Sequence, residues 1–129
     1  MEKILIVDDE NDVVNIIKDF MSERGYAVVT ASNGEDGLAK FDKEKPDIVI
    51  SDIKMPKKDG FQFLKEMRET RKWVPVILIS GLAEHSNVLK GYEFEADYYI
   101  PKPINLESLL NAVKIMISLS SLRIKKKPA

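Results

Sequence analysis

Four short apolar runs end on polar side chains that could do chemistry together. Ile4-Leu5-Ile6-Val7 leads into Asp8-Asp9, and Ile48-Val49-Ile50-Ser51 leads into Asp52. Val76-Ile77-Leu78-Ile79 stops at Ser80-Gly81, and Tyr98-Tyr99-Ile100 stops at Pro101-Lys102-Pro103. Continuous apolar runs of this length read as strands buried on both faces. If they lie parallel in one sheet, their carboxyl ends share an edge, and sites form beyond that edge. Asp8, Asp9, Asp52, Ser80 and Lys102 then converge, although they are far apart in sequence.

Carboxylates gathered at one point repel, and they stay ionised together only when a cation joins them. Oxygen-only ligation selects a hard ion, and few protein ligands with several waters suits Mg2+ better than Ca2+. Asp9 and Asp52 are the candidates for direct ligation, and Asp8 for ligation through a water. The backbone carbonyl of Lys54 could add another oxygen. A metal alone gives no reason for Lys102 and Ser80, whereas a phosphoryl group does. Its transfer needs an in-line nucleophile and neutralised equatorial oxygens. Asp52 can attack and become an aspartyl phosphate. The ion would clamp one phosphoryl oxygen, Lys102 a second, and the Ser80 hydroxyl would donate to the third.

The remaining chain must supply the elements that position these residues. Asn11 or Asp12 caps a first helix whose inward positions read as Val13, Ile16, Ile17 and Phe20, and Gly25 ends it. Ala27 to Ala31 is a weaker strand. Ser32 or Asn33 starts a short helix carrying Leu38 and Phe41, closed by Pro46. Gly60 to Thr70 is a helix with Phe63, Leu64 and Met67 inward. A poorly amphipathic helix falls near Glu84 to Gly91, and a strand over Asp97 to Ile100. Asn105 caps the last helix, with Leu106, Leu109, Leu110, Val113 and Ile117 inward. Ile115, Leu119 and Leu122 fall on its opposite side. They read as ordinary exposed residues, as a contact stripe for a homodimer or a partner, or as the start of a helical linker. Strand and helix thus alternate five times, which gives an α/β parallel sheet with helices on both faces.

At 129 residues the chain is one domain able to bury a real core. The expected division is a domain over 1–121 and a basic tail or linker start over 122–129. A net charge of −1 gives no field that would draw nucleic acid or a membrane surface. The absence of Cys removes disulfides, thiolate metal sites and a thiol nucleophile. No run is long enough to span a bilayer, and the first residues enter a strand with no signal-like segment, so the expected place is the cytoplasm.

Asp8-Asp9, Asp52, Ser80, and Tyr99 with Lys102-Pro103, each after its own strand and in this order, resemble the receiver domains of two-component response regulators, the chemotaxis regulator among them. The resemblance covers about residues 2 to 119. It implies a flavodoxin-like three-layer sandwich with strand order 2-1-3-4-5. It implies Mg2+-dependent phosphorylation of Asp52 by a histidine kinase or phosphotransfer protein, and a cis peptide before Pro103. It further implies a signalling switch rather than a turnover enzyme, catalysing only its own phosphorylation and dephosphorylation. Ser80 would move toward the phosphate and Tyr99 would follow it inward. Output would pass to an unknown partner or domain through the weak helix, the fifth strand and the last helix. Lys54 and Leu82 occupy positions that family comparison links to water access, and neither should orient water, so a fairly long-lived phosphoryl group is expected.

Plainer readings exist for single residues. Asp8 and Asp9 can cap the first helix, Ser80 can be a turn residue, and Lys102 a solvated turn lysine. Tyr99 can be plain sheet packing, a role for which Tyr98 is the better candidate. His85 has no companions for a phosphohistidine or metal role. Trp73 and Met55 read as packing or loop cover. Two other functions compete. A Mg2+-dependent phosphohydrolase would place its nucleophile after strand one with a second Asp two residues on, whereas Asp52 follows strand three and Lys54 stands where that Asp would be. A flavodoxin would need a phosphate cradle where Asp8-Asp9-Glu10 would repel the phosphate.

Overall fold

The computed structural model describes residues 1–55, 57–70, 74–81 and 97–126, with side chains as far as Ser120. The strands are β1 (Lys3–Val7), β2 (Ala27–Ala31), β3 (Ile48–Asp52), β4 (Val76–Ser80) and β5 (Tyr98–Pro101). The described helices are α1 (Asn11–Ser22), α2 (Gly34–Glu44), α3 (Gly60–Thr70) and α4 (Leu106–Lys126). The helix expected near 84–91, with Leu82 and His85, lies outside the described residues, as do Trp73 and the side chain of Leu122.

Among the described residues all pairings are parallel, and the sheet order is β2-β1-β3-β4-β5, the flavodoxin-like order expected. Successive strand residues point to opposite faces, so each buried run feeds two cores. Leu5, Val7, Val49, Val76 and Leu78 meet Phe41 of α2 and Phe63, Leu64 and Met67 of α3. Ile4, Ile6, Ile48, Ile50, Ile77 and Ile79 meet Val14, Ile17 and Met21 of α1 and Leu109, Leu110 and Val113 of α4. The result is helix, sheet, helix in three layers.

Local signals placed several helix ends. Asn33 caps α2 by accepting from the Asp36 N–H at 2.9 Å, and Asn105 caps α4 by accepting from the Ser108 N–H at 2.9 Å. The turn after α1 uses Gly25 at φ 92°, a backbone region that favours glycine. α1 itself begins after Glu10, not after Asn11 or Asp12, and no side chain caps it.

Three further expectations change. On α1 the buried stripe is Val14, Ile17 and Met21, whereas Ile16 is 56% exposed. Neighbouring helix residues differ by about 100° around the axis, so Ile16 falls off the rim of a stripe centred on Ile17. Val13 and Phe20 flank that stripe and pack on the core only partly. On β5, Tyr98 was the candidate for sheet packing, but it is 46% exposed, while Tyr99 packs on the α2/α3 core. β5 has a single neighbour, so its first residue sits at a corner of the sheet with cover from one side only. Finally, β5 starts at Tyr98, and Asp97 just before it turns its carboxylate to the start of β4.

Candidate functional site

The register brings the strand ends level. Val7 pairs with Ser51, Asp52 with Ile79, and Ser80 with Pro101. Asp8, Asp52, Ser80 and Lys102 therefore stand at the carboxyl edge of the sheet. Asp8, Asp52 and Ser80 are buried there, at 1%, 3% and 3% exposure.

Asp52 is held at both carboxylate oxygens. Its Oδ1 accepts from the Ile53 N–H at 2.8 Å, and its Oδ2 accepts from Lys102 Nζ at 2.9 Å. Lys102 reaches that point from the turn after β5, where its own N–H donates to the Ser80 carbonyl at 2.9 Å and its peptide bond to Pro103 is cis. Burial works against the ammonium charge. The hydrogen bond and charge of Asp52, with Asp8 and Glu10, outweigh it and raise the pKa above the ordinary lysine value.

Asp8 is the least satisfied group. Its Oδ1 accepts from the Glu10 N–H at 3.0 Å, but its buried Oδ2 has no hydrogen-bond partner. Burial pushes its pKa up to about 7 against an ordinary 3.8; the Glu10 N–H opposes this, the Asp52 charge adds to it, and Lys102 opposes it in turn. A buried carboxyl with an idle oxygen beside two other acids is a site short of positive charge. Among the described residues, Asp8, Glu10 and Asp52 bring one carboxylate oxygen each within 4.8 Å of one another. Such an oxygen-only set fits a hard divalent cation.

Asp9 and Glu10, adjacent in sequence, stand differently toward that group. Asp9 is exposed and stands outside the group of three, whereas Glu10 stands within it. Glu10 was visible only as the third acid of a run, and at the first turn of a helix an acid has the ordinary role of complementing the dipole. Its Oε1 in fact accepts from Lys102 Nζ at 3.3 Å. Lys54 is exposed in the loop after Asp52. The Ser80 hydroxyl donates to the Gly81 carbonyl at 3.1 Å. Gly60 closes this loop: its N–H donates to the Ile53 carbonyl at 2.7 Å, and a Cβ there would collide with the Asp52 carbonyl.

Residues 4–114 match the family model of the response regulator receiver domain. The chain belongs to that family. It is a receiver of the response regulators of two-component signalling. The receiver is 34% identical over 121 residues to the alkaline phosphatase synthesis transcriptional regulatory protein PhoP of Bacillus subtilis, covering 94% of this chain and 50% of that one. It is 44% identical over 115 residues to the probable transcriptional regulator ycf27 of Guillardia theta, covering 87% and 45%. The receiver thus spans about half the length of the curated relatives it matches. Among solved structures, a response regulator receiver domain from Clostridium thermocellum superposes with a TM-score of 0.85 at 31% identity, covering 97% of this chain and 98% of that one. The chemotaxis response regulator CheY4 of Vibrio cholerae also gives 0.85 at 31% identity, covering 90% and 98%. Among the described residues, no helix is long and apolar enough to cross a membrane.

Proposed function

We propose that this receiver accepts a phosphoryl group on Asp52 from a histidine kinase or phosphotransfer protein in a Mg2+-dependent reaction. The observation that carries the reading is one arrangement: Asp52 paired with Lys102 at 2.9 Å, beside a buried Asp8 with an idle oxygen. Asp9 and Asp52 would ligate the ion, with Asp8 acting through a water and the Lys54 carbonyl adding an oxygen. When bound, Mg2+ would neutralise the acids and polarise a phosphoryl oxygen.

The residues of the chain do the rest. A carboxylate oxygen of Asp52 attacks phosphorus while the donor's leaving group departs in line. Lys102 exchanges its bond to Asp52 for one to a phosphoryl oxygen. The Ser80 hydroxyl gives up the Gly81 carbonyl for another, and Tyr99 follows it. The product is a switch that catalyses only its own phosphorylation and dephosphorylation. Its output would pass through β5, α4 and the segment near 84–91 to a partner or a further domain. The names of the relatives, transcriptional regulators, favour an output tied to transcription. Within these residues we propose no contact with nucleic acid or membrane, in keeping with the net charge of −1, and a cytoplasmic place. Ile115 and Leu119, 55% and 49% exposed, would serve with Leu122 as a contact stripe for a second copy or a partner. α4 continues to Lys126, which favours the stretch after 121 as the start of a linker.

Mixing the protein with Mg2+ and acetyl phosphate, then weighing it intact, tests the reading. A gain of one phosphoryl group is expected for the native protein and none for Asp52→Asn. Equal labelling of both would remove it. Because neither Lys54 nor Leu82 should orient water, the phosphoryl group should last minutes or longer; loss within seconds would remove that part alone.

A further inference from the structure

The ammonium of Lys102 has two anionic neighbours, Asp52 Oδ2 at 2.9 Å and Glu10 Oε1 at 3.3 Å. Glu10 is an unusual residue for its place. It precedes α1 in extended backbone, φ −92° and ψ 101°, where a short side chain normally caps the helix. Its own side chain makes no capping bond. Its backbone is nevertheless tied at both groups. Its N–H donates to Asp8 Oδ1 at 3.0 Å, and its carbonyl accepts from the Val14 N–H at 3.1 Å. A fixed backbone therefore sends a long side chain across the sheet edge to a lysine 92 residues away.

The ion pair with Lys102 contributes little to stability, because the Glu10 side chain is 58% exposed and the pair is screened by water. Its effect falls on the site. Glu10 places a negative charge at the open side of a centre that already holds Asp8 and Asp52. It also occupies a donor that the phosphoryl group needs. Both effects oppose the arrival of a dianion.

We propose that Glu10 is a positioning residue that restrains phosphorylation of this receiver: it holds Lys102 at the mouth of the site and repels an incoming phosphoryl donor until the donor displaces it. The inference rests on Asp52 as the phosphoryl acceptor. With acetyl phosphate as donor, an Asp52 oxygen forms a bond to phosphorus, the bond from phosphorus to the acetyl oxygen breaks, and acetate leaves with that electron pair. Lys102 passes from Glu10 and Asp52 to the transferred group, and no proton need move.

Glu10→Gln keeps the shape of the side chain and removes its charge. At saturating Mg2+ and low salt, its rate of phosphorylation by acetyl phosphate should rise about three- to tenfold, the size expected for one charge acting on a dianion through partly aqueous surroundings. The native rate should rise with added salt as repulsion is screened, and the Glu10→Gln rate should respond less. Isothermal titration with Mg2+ alone should show binding weakened severalfold in the variant, a readout that needs no phosphoryl transfer. If Glu10→Gln keeps the native rate, salt response and Mg2+ affinity while Asp52→Asn stays inert, this inference falls and Asp52 stands as acceptor. A slower variant overturns it as well. If the native protein gains no phosphoryl group at Asp52, the underlying reading falls first.

Discussion

The two edges of this sheet use the same kinds of charged side chain to opposite ends. At the amino edge, Asp97 Oδ2 accepts from Arg68 Nη2 at 2.8 Å and from the Val76 N–H at 2.8 Å, while Arg68 also donates to the Val74 carbonyl. Both side chains of that pair are at least nine-tenths buried, and each has its partners. The pair ties the last turns of α3 to the starts of β4 and β5. At the carboxyl edge, Asp8 is just as buried, yet its Oδ2 meets no donor and its pKa is pushed up to about 7. One edge is electrostatically complete within the chain. The other is left short of positive charge, a lack that a bound cation would make good, and that incompleteness is what points to it as the candidate working edge.

The largest effect should come from breaking the complete edge. Arg68→Met leaves a buried carboxylate without its cation, and loss of one partner of such a pair costs about 3–5 kcal/mol. Urea unfolding should register this, while Mg2+ affinity of the folded fraction stays native. A cost below about 1 kcal/mol would mean that the two edges are less different than their hydrogen bonds imply.

The incomplete edge should respond to pH in the opposite sense to an ordinary acid. The folded Asp8 keeps its proton up to about pH 7, while the unfolded one loses it near 3.8. Between those values the folded state binds more protons, so stability of the Mg2+-free protein should fall as pH rises through that window. At about 1.4 kcal/mol per tenfold change in acidity, the loss amounts to a few kcal/mol at neutral pH. Asp8→Asn should flatten the profile and stabilise the Mg2+-free protein, and added Mg2+ should restore the native protein above pH 7. A flat native profile in chelator would break the comparison.

A smaller effect tests how tightly the working edge is built. Gly60→Ala puts a methyl against the Asp52 carbonyl and 2.8 Å from Ile53 Cα, both backbone, and should cost about 1–3 kcal/mol and slow phosphorylation. Gly37→Ala meets the Val7 methyls at 3.1 Å, which can shift, and should cost less in the same unfolding assay. Smallest of all, Ile115→Lys with Leu119→Lys lies away from both edges and should change monomer stability by under about 0.5 kcal/mol. Solution mass against concentration would show whether those changes remove a dimer; identical, monomeric behaviour before and after would remove the dimer proposal.

Much of this is legible in the chain itself. The apolar runs with their polar stops named the strands, and Gly25, Asn33, Gly60 and Asn105 marked the turns and helix starts. These signals are local: a period, a glycine, a cap. The inward face of α1 was less legible. Val13, Val14, Ile16 and Ile17 crowd two adjacent stripes, and only the fit against α4 and the sheet selects the one with Val14 and Met21. The same holds for the tyrosines, since Tyr98 and Tyr99 differ in exposure through the position of β5 at a sheet edge.

The sequence alone determined which residues could act, because residue type and strand-end position follow from hydrophobic pattern and turn chemistry over a few neighbours. Only the tertiary structure decided which of them touch: Lys102 with both Asp52 and Glu10, Asp8 with one oxygen idle, Asp9 outside the group. Those outcomes depend on how long side chains from distant segments share a few ångströms of space, and a strand-and-helix pattern contains no information at that scale.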